Sequence, residues 1–131
     1  MMTIMGQMEA ASKIFDYLFL GTEWNASNAE ELEANKCWYI INVTKEIQNF
    51  FPARIRYHNI RIYDTPTSDL LPHWEDTYRF VREARRNGSS ILIHCKLGVS
   101  RSASTVIAYA MKQYNWSLEE AMTHVKVRAS R

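Results

Sequence analysis

The sequence predicts a single-domain α/β sandwich with a central mixed sheet flanked by helices. Three observations lead there. Short, nearly continuous apolar runs, Trp38-Tyr39-Ile40-Ile41-Asn42-Val43 and Ile91-Leu92-Ile93, have the look of buried strands. Between and after them lie stretches with helical periodicity. No linker, repeat or low-complexity tract interrupts the alternation. The length of 131 residues suits one domain with its own hydrophobic core.

Taken in order, Phe15 to Gly21 mixes β-favouring residues and ends in glycine, which predicts one strand. Ser27-Asn28-Ala29-Glu30 fits a capping box that opens a short helix running to about Asn35. Tyr57 to Asp64 alternates through Ile60 and Ile62 before Thr65-Pro66, as a strand ending in a turn does. Leu71, Trp74, Tyr78, Val81 and Ala84 recur at helical spacing, and Gly88 supplies a stop. From Ser102, the positions Ala103, Val106, Ile107, Ala110, Met111 and Tyr114 form an amphipathic helix. Ser117-Leu118-Glu119-Glu120 is a second capping box, opening a helix through Val125.

Charge and composition narrow the function. Lys and Arg number 16 against 14 Asp and Glu, a net charge of +2, too little to predict a nucleic-acid or membrane-surface binder. No apolar run approaches the length of a membrane span. Cys37 and Cys95 make no disulfide framework, and neither has zinc-ligand spacing, so no metal is expected. The opening residues lack the basic start and apolar stretch of a secretory signal. These features together predict a reduced, intracellular protein.

The chemistry concentrates in Ile91-Leu92-Ile93-His94-Cys95-Lys96-Leu97-Gly98-Val99-Ser100-Arg101-Ser102. A buried strand runs into a short loop and then into a helix N-terminus. Free backbone N–H groups and the helix dipole make such a turn an anion site, with phosphate the usual occupant. Lys96, Leu97, Gly98, Val99 and Ser100 supply the cradle, and Arg101 adds a planar fork for two phosphate oxygens. Thiolates are favoured at helix N-termini and near cations, so the field that binds a dianion also prepares Cys95 to attack phosphorus. Ser102, or Ser100, is placed to hydrogen-bond the sulfur. A Cys and an Arg six apart recur by chance in roughly one such chain in ten. Fixing the His, Gly and Ser as well lowers that to about one in 10⁵.

A leaving oxygen also needs a proton. Asp64, at the end of its strand, is the candidate acid, and Asp69, which resembles a helix cap, is its competitor. His94 is expected to orient the loop. Asn42 either braces that loop from the adjacent strand or satisfies local backbone. Arg82, Arg85 and Arg86 suit a helix C-terminus, and Arg54, Arg56 and Arg61 suit a solvated surface or the steering of an acidic phosphopeptide.

The pattern His94-Cys95-x-x-Gly98-x-x-Arg101-Ser102 resembles the signature of the cysteine-dependent protein phosphatases, and the short chain resembles their dual-specificity branch. Further segments are similar to the slingshot phosphatases. They are Glu23-Trp24-Asn25-Ala26-Ser27-Asn28, Asn42-Val43-Thr44, Asn49-Phe50-Phe51-Pro52, Tyr57-His58-Asn59-Ile60-Arg61, and Gly98 through Lys112. The resemblance spans about residues 13 to 126. It implies a phosphatase catalytic domain over residues 13–131, with 1–12 an N-terminal extension or an expression remnant and the fold's last helix lacking. It also implies hydrolysis of phosphoserine, phosphothreonine and phosphotyrosine monoesters without a cofactor. The substrate implied is phosphocofilin, in a cytoplasmic, cytoskeleton-associated setting with actin filaments as partners of the full-length protein. By position, the nucleophile falls on Cys95, the phosphate-gripping arginine on Arg101, the leaving-group serine on Ser102 and the general acid on Asp64. The chain departs from the family pattern at Thr65-Pro66-Thr67, where acidic residues are expected, and at Leu97, where methionine is usual. Two other functions fit the same residues: a phosphate-binding module without turnover, or a phosphatase acting on lipid or nucleotide phosphates.

Overall fold

In a computed structural model, residues 10–61, 73–96 and 100–129 are described. Five strands form one sheet in the order β1-β2-β5-β3-β4. Strands β1 (Ser12–Phe15) and β2 (Leu18–Gly21) pair antiparallel, whereas β3 (Cys37–Asn42), β4 (Arg56–Asn59) and β5 (Ser90–His94) extend the sheet in parallel. The sheet is therefore mixed. The strand expected over residues 15–21 is instead two strands, because Asp16 and Tyr17 turn the chain back on itself.

Two short helices, α1 (Glu23–Ala26) and α2 (Ala29–Ala34), follow β2. The cap of α2 is Asn28, one residue later than the expected Ser27. Its side-chain oxygen accepts from the Glu31 N–H at 3.2 Å. Helix α3 (Trp74–Arg86) ends as expected: Gly88 takes φ +70°, which frees Ser89 N–H to donate to the Ala84 carbonyl. Helix α4 (Ser100–Tyr114) follows the reactive loop, and α5 (Leu118–Ala129) opens with a reciprocated capping box. Glu120 N–H donates to Ser117 Oγ, and Ser117 N–H donates to the Glu120 carboxylate. Among the described residues no helix is long and apolar enough to cross a membrane.

The alternation of strand side chains divides the core. Leu18, Leu20, Ile91 and Ile93 face α3, α4 and α5, where they join Val81, Ala84, Val106 and Val125. Phe19, Ile40 and Leu92 face the other way, onto Ala26 and Leu32 of the two short helices. Residues of β5 are buried on both faces, which explains their unbroken apolar run. The central strand thus delivers Cys95 to the middle of the sheet's carboxyl edge, the position where α/β folds gather reacting groups.

Candidate active site

The site begins where β5 ends. His94 Cα is in register with Asn42 of β3 and Gly21 of β2, so backbone from both neighbours flanks the exit of the strand. Val43 N–H donates to the His94 carbonyl at 2.9 Å, and Glu23 N–H at the start of α1 donates to the Lys96 carbonyl at 3.2 Å. The loop is tied down on both sides of Cys95. Lys96 itself is exposed.

Cys95 is buried, and its Sγ lies 3.3 Å from Ser102 Oγ in the first turn of α4. Ser102 is fully buried, so its hydroxyl is held on the sulfur by packing. His94 Nδ1 lies 3.1 Å from the Cys95 carbonyl and donates to it, which fixes the tautomer. Burial pushes the His94 imidazole down to about 4, so it is neutral near pH 7. That hydrogen bond to the Cys95 carbonyl is the contact through which the sequence expects His94 to orient the loop. Arg101 lies along the same turn with only 7% of its surface exposed. Thr105 Oγ1 donates to the Arg101 carbonyl at 3.0 Å, anchoring the helix start.

Sequence reasoning missed Glu46. Its Oε1 is 3.3 Å from Arg101 Nη1, a contact across 55 residues of chain. Hydrogen bonding to nearby backbone, then to Arg101, holds its carboxyl below the usual range. The loop that carries it is braced from within. Asn42 Nδ2 donates to the Ile47 carbonyl at 2.8 Å and to Asn49 Oδ1 at 3.0 Å, while Asn42 Oδ1 accepts from Thr44 Oγ1 at 2.7 Å. Arg61 Nη1 donates to the carbonyls of Thr44 and Ile47. Among the described residues, Asn42 hydrogen-bonds within the 44–49 loop that carries Glu46, the local role that the sequence also allows. Arg61 serves the same loop, and Arg56 pairs with Glu83 at 2.6 Å, so both have partners within the fold. A signal for Glu46 did exist: it is an acid four residues beyond a strand's carboxyl end, where sites assemble.

Asp64 and its competitor Asp69 lie outside the described residues, as do Leu97, Gly98 and Val99 of the cradle and the side chain of Ser100. Cys37, at the opposite end of β3, is buried, and burial pushes its thiol up to about 12. It pairs in register with Ser90, five residues before Cys95, or roughly 16 Å along the strand, too far for a disulfide.

A buried cysteine at a strand-to-helix turn, a hydroxyl on its sulfur and a buried arginine in the helix turn that follows are the donor set a phosphate-handling centre needs. A family model described as "Dual specificity phosphatase, catalytic domain" matches residues 18–131, and the chain belongs to that family. At finer grain it is similar to slingshot phosphatases. It is 59% identical over 130 residues to mouse Protein phosphatase Slingshot homolog 1 and 55% identical over 130 residues to Drosophila melanogaster Protein phosphatase Slingshot. Each alignment covers 99% of this chain and 12% of the relative, so the chain spans about an eighth of those proteins. Among solved structures, human DUSP28 superposes with a TM-score of 0.86 at 29% identity, covering 92% of this chain and 81% of that one. The human tyrosine phosphatase-like serine/threonine/tyrosine-interacting protein gives 0.87 at 27%, covering 91% and 83%.

Proposed function

We propose that this chain is a protein phosphatase that hydrolyses phosphate monoesters through a cysteinyl-phosphate intermediate. The observation that carries the reading is the Cys95 sulfur, buried at the head of α4 with Ser102 Oγ at 3.3 Å and the Arg101 guanidinium in the same turn. Substrate phosphate sits in the loop of residues 96–101 with two oxygens on Arg101, displacing Glu46 from the fork. The Cys95 thiolate attacks phosphorus in line. The P–O ester bond breaks as the S–P bond forms, and Asp64 gives its proton to the departing oxygen. Water then attacks phosphorus and yields a proton to the Asp64 carboxylate. The S–P bond breaks, and Ser102 donates its hydrogen bond to the sulfur that leaves. Main-chain donors and Arg101 hold the equatorial charge throughout, so the residues suffice for the reaction without a metal.

The similarity to slingshot phosphatases supports phosphocofilin as the substrate. It also supports a cytoplasmic, cytoskeletal setting with actin filaments as partners of a longer protein. Hydrolysis of phosphocofilin beside a phosphotyrosine peptide tests both levels. Cys95→Ser should abolish turnover of both, and Asp64→Asn should lower kcat by about 10²- to 10⁴-fold. Turnover that survives Cys95→Ser overturns the chemistry. Phosphopeptide binding without hydrolysis by the unaltered chain would favour a binding module.

A further inference from the structure

The other end of the domain carries a second concentration of positive charge. Arg82, Arg85 and Arg86 of α3 line a cleft of about 400 Å³ with Tyr78 of the same helix and Gln113 of α4. Gln113 lies thirteen residues along α4 from Ser100, a rise of about 20 Å, so the cleft is remote from Cys95. The last turn of α3 also leads directly into the start of β5, whereas Cys95 follows its end.

The arginines stand at i, i+3 and i+4, on one face of the helix, where like charges repel. The helix dipole favours Arg85 and Arg86 in the last turn, but its effect fades before Arg82. None of the three forms an ion pair among the described residues. The acids of α3 are engaged elsewhere: Glu83 with Arg56, Asp76 with Arg79 and Glu75 with Lys112. Two of the guanidiniums are instead held by aromatic faces. Arg85 lies 4.0 Å from the centre of the Tyr17 ring and Arg82 lies 5.5 Å from that of Tyr78. Stacking fixes the plane of a guanidinium; Arg85 also commits part of its N–H edge to a hydrogen bond with Tyr109, and its remaining donors are left for a ligand. A neighbouring groove that shares Arg85 adds Lys13 and Arg128 against one acid, Asp16.

From this arrangement we propose that the Arg82–Arg85–Arg86 cleft is a binding site for a multiply phosphorylated anion, separate from the reaction centre. A phosphate monoester carries about −1.5 to −2 near pH 7, so one phosphate underfills three arginines and two match them. Planar forks suit phosphate oxygens in pairs. The cleft volume falls within the ~300–1,000 Å³ range of small-ligand sites, fitting a compact headgroup and not an extended peptide. A soluble polyphosphorylated anion and a lipid headgroup present the same chemistry to these arginines.

Inorganic tripolyphosphate added to the isotopically labelled chain should shift the amides of Tyr78, of Arg82 to Arg86 and of Gln113. R82Q/R85Q/R86Q should weaken that binding at least ~10-fold. Its aryl phosphate hydrolysis should stay at the unaltered level, because no catalytic group is touched. If the triple variant does not fold, R86Q alone should weaken binding about threefold. Vesicles of phosphatidylcholine with phosphatidylinositol bisphosphate distinguish the sources. Cosedimentation that needs both the lipid and the arginines assigns a headgroup; tripolyphosphate shifts without cosedimentation assign a soluble anion. Shifts confined to residues 94–102, equal affinity in the variants, or no response to either probe would overturn the proposal.

Discussion

Replacing Ser102 with alanine should slow release of phosphate from the enzyme far more than its capture. The hydroxyl is 3.3 Å from Sγ and fully buried, so no water takes its place easily. Removing one oxygen from a small side chain leaves little cavity, and the lost hydrogen bond dominates. A bond to a charged partner contributes about 1.5–3 kcal/mol. At about 1.4 kcal/mol per tenfold, that is roughly 10- to 150-fold in the step where sulfur leaves as an anion. In the attack step the sulfur loses charge, so the same bond helps little or mildly opposes reaction. Rapid-quench kinetics with an aryl phosphate separate the two steps. The variant should release one equivalent of the aryl alcohol per active site in a burst, followed by turnover slowed by that factor, with kcat/KM within about threefold of the original. If kcat and kcat/KM fall together without a burst, Ser102 acts before or outside intermediate breakdown. If neither changes, the hydroxyl is only a helix-start residue.

Three other outcomes follow from the geometry. Glu46→Gln removes the carboxylate that substrate phosphate must displace from Arg101. The pair is partly exposed and worth about 0–1 kcal/mol, so KM for an aryl phosphate should fall by up to about fivefold with kcat nearly constant; a rise in KM would show that Glu46 aims the arginine. His94 is held near 4 when folded, against the 6.5 of a freely solvated histidine, so the unfolded chain takes up its proton first. The stability this contributes is complete above about pH 6.5 and declines as pH falls toward 4, by about 2 kcal/mol at pH 5 in urea titrations. A His94→Asn variant should lose that slope, and an unchanged slope would refute the assignment. Gly21→Ala would put a methyl 2.6 Å from Asn25 Oδ1, which accepts from the Thr22 N–H beside the Glu23–Lys96 link. Overpacking there should cost about 1–3 kcal/mol in thermal unfolding and lower kcat/KM as well; an unshifted Tm would contradict it.

The reactive turn was legible because its signals are local. Ile91 to Ile93 is apolar on both faces, the helix after it is periodic, and the cysteine, arginine and serine lie within eight consecutive positions. What local pattern does not encode is pairing. The order β1-β2-β5-β3-β4 depends on which strand finds which, and nothing in any one strand states it. The hairpin at Asp16-Tyr17 was concealed because its two short strands share one β-favouring composition. Helix α1 is a single turn set by Asn25, whose side chain accepts from Thr22 N–H, too short for periodicity to register. Glu46 and Arg101 meet only because parallel pairing brings the carboxyl ends of β3 and β5 together. Asn42 could be read two ways from sequence; its amide makes three hydrogen bonds within the 44–49 loop, while residues 97–99 of the phosphate loop lie outside the described residues.

Acid quenching during turnover of a phosphopeptide, followed by peptide mass analysis, tests the account most directly. A single phosphoryl group on the peptide containing Cys95, accumulating in Ser102→Ala and absent in Cys95→Ser, is the predicted result. Sustained hydrolysis with no adduct on that peptide in either the unaltered chain or Ser102→Ala would contradict it.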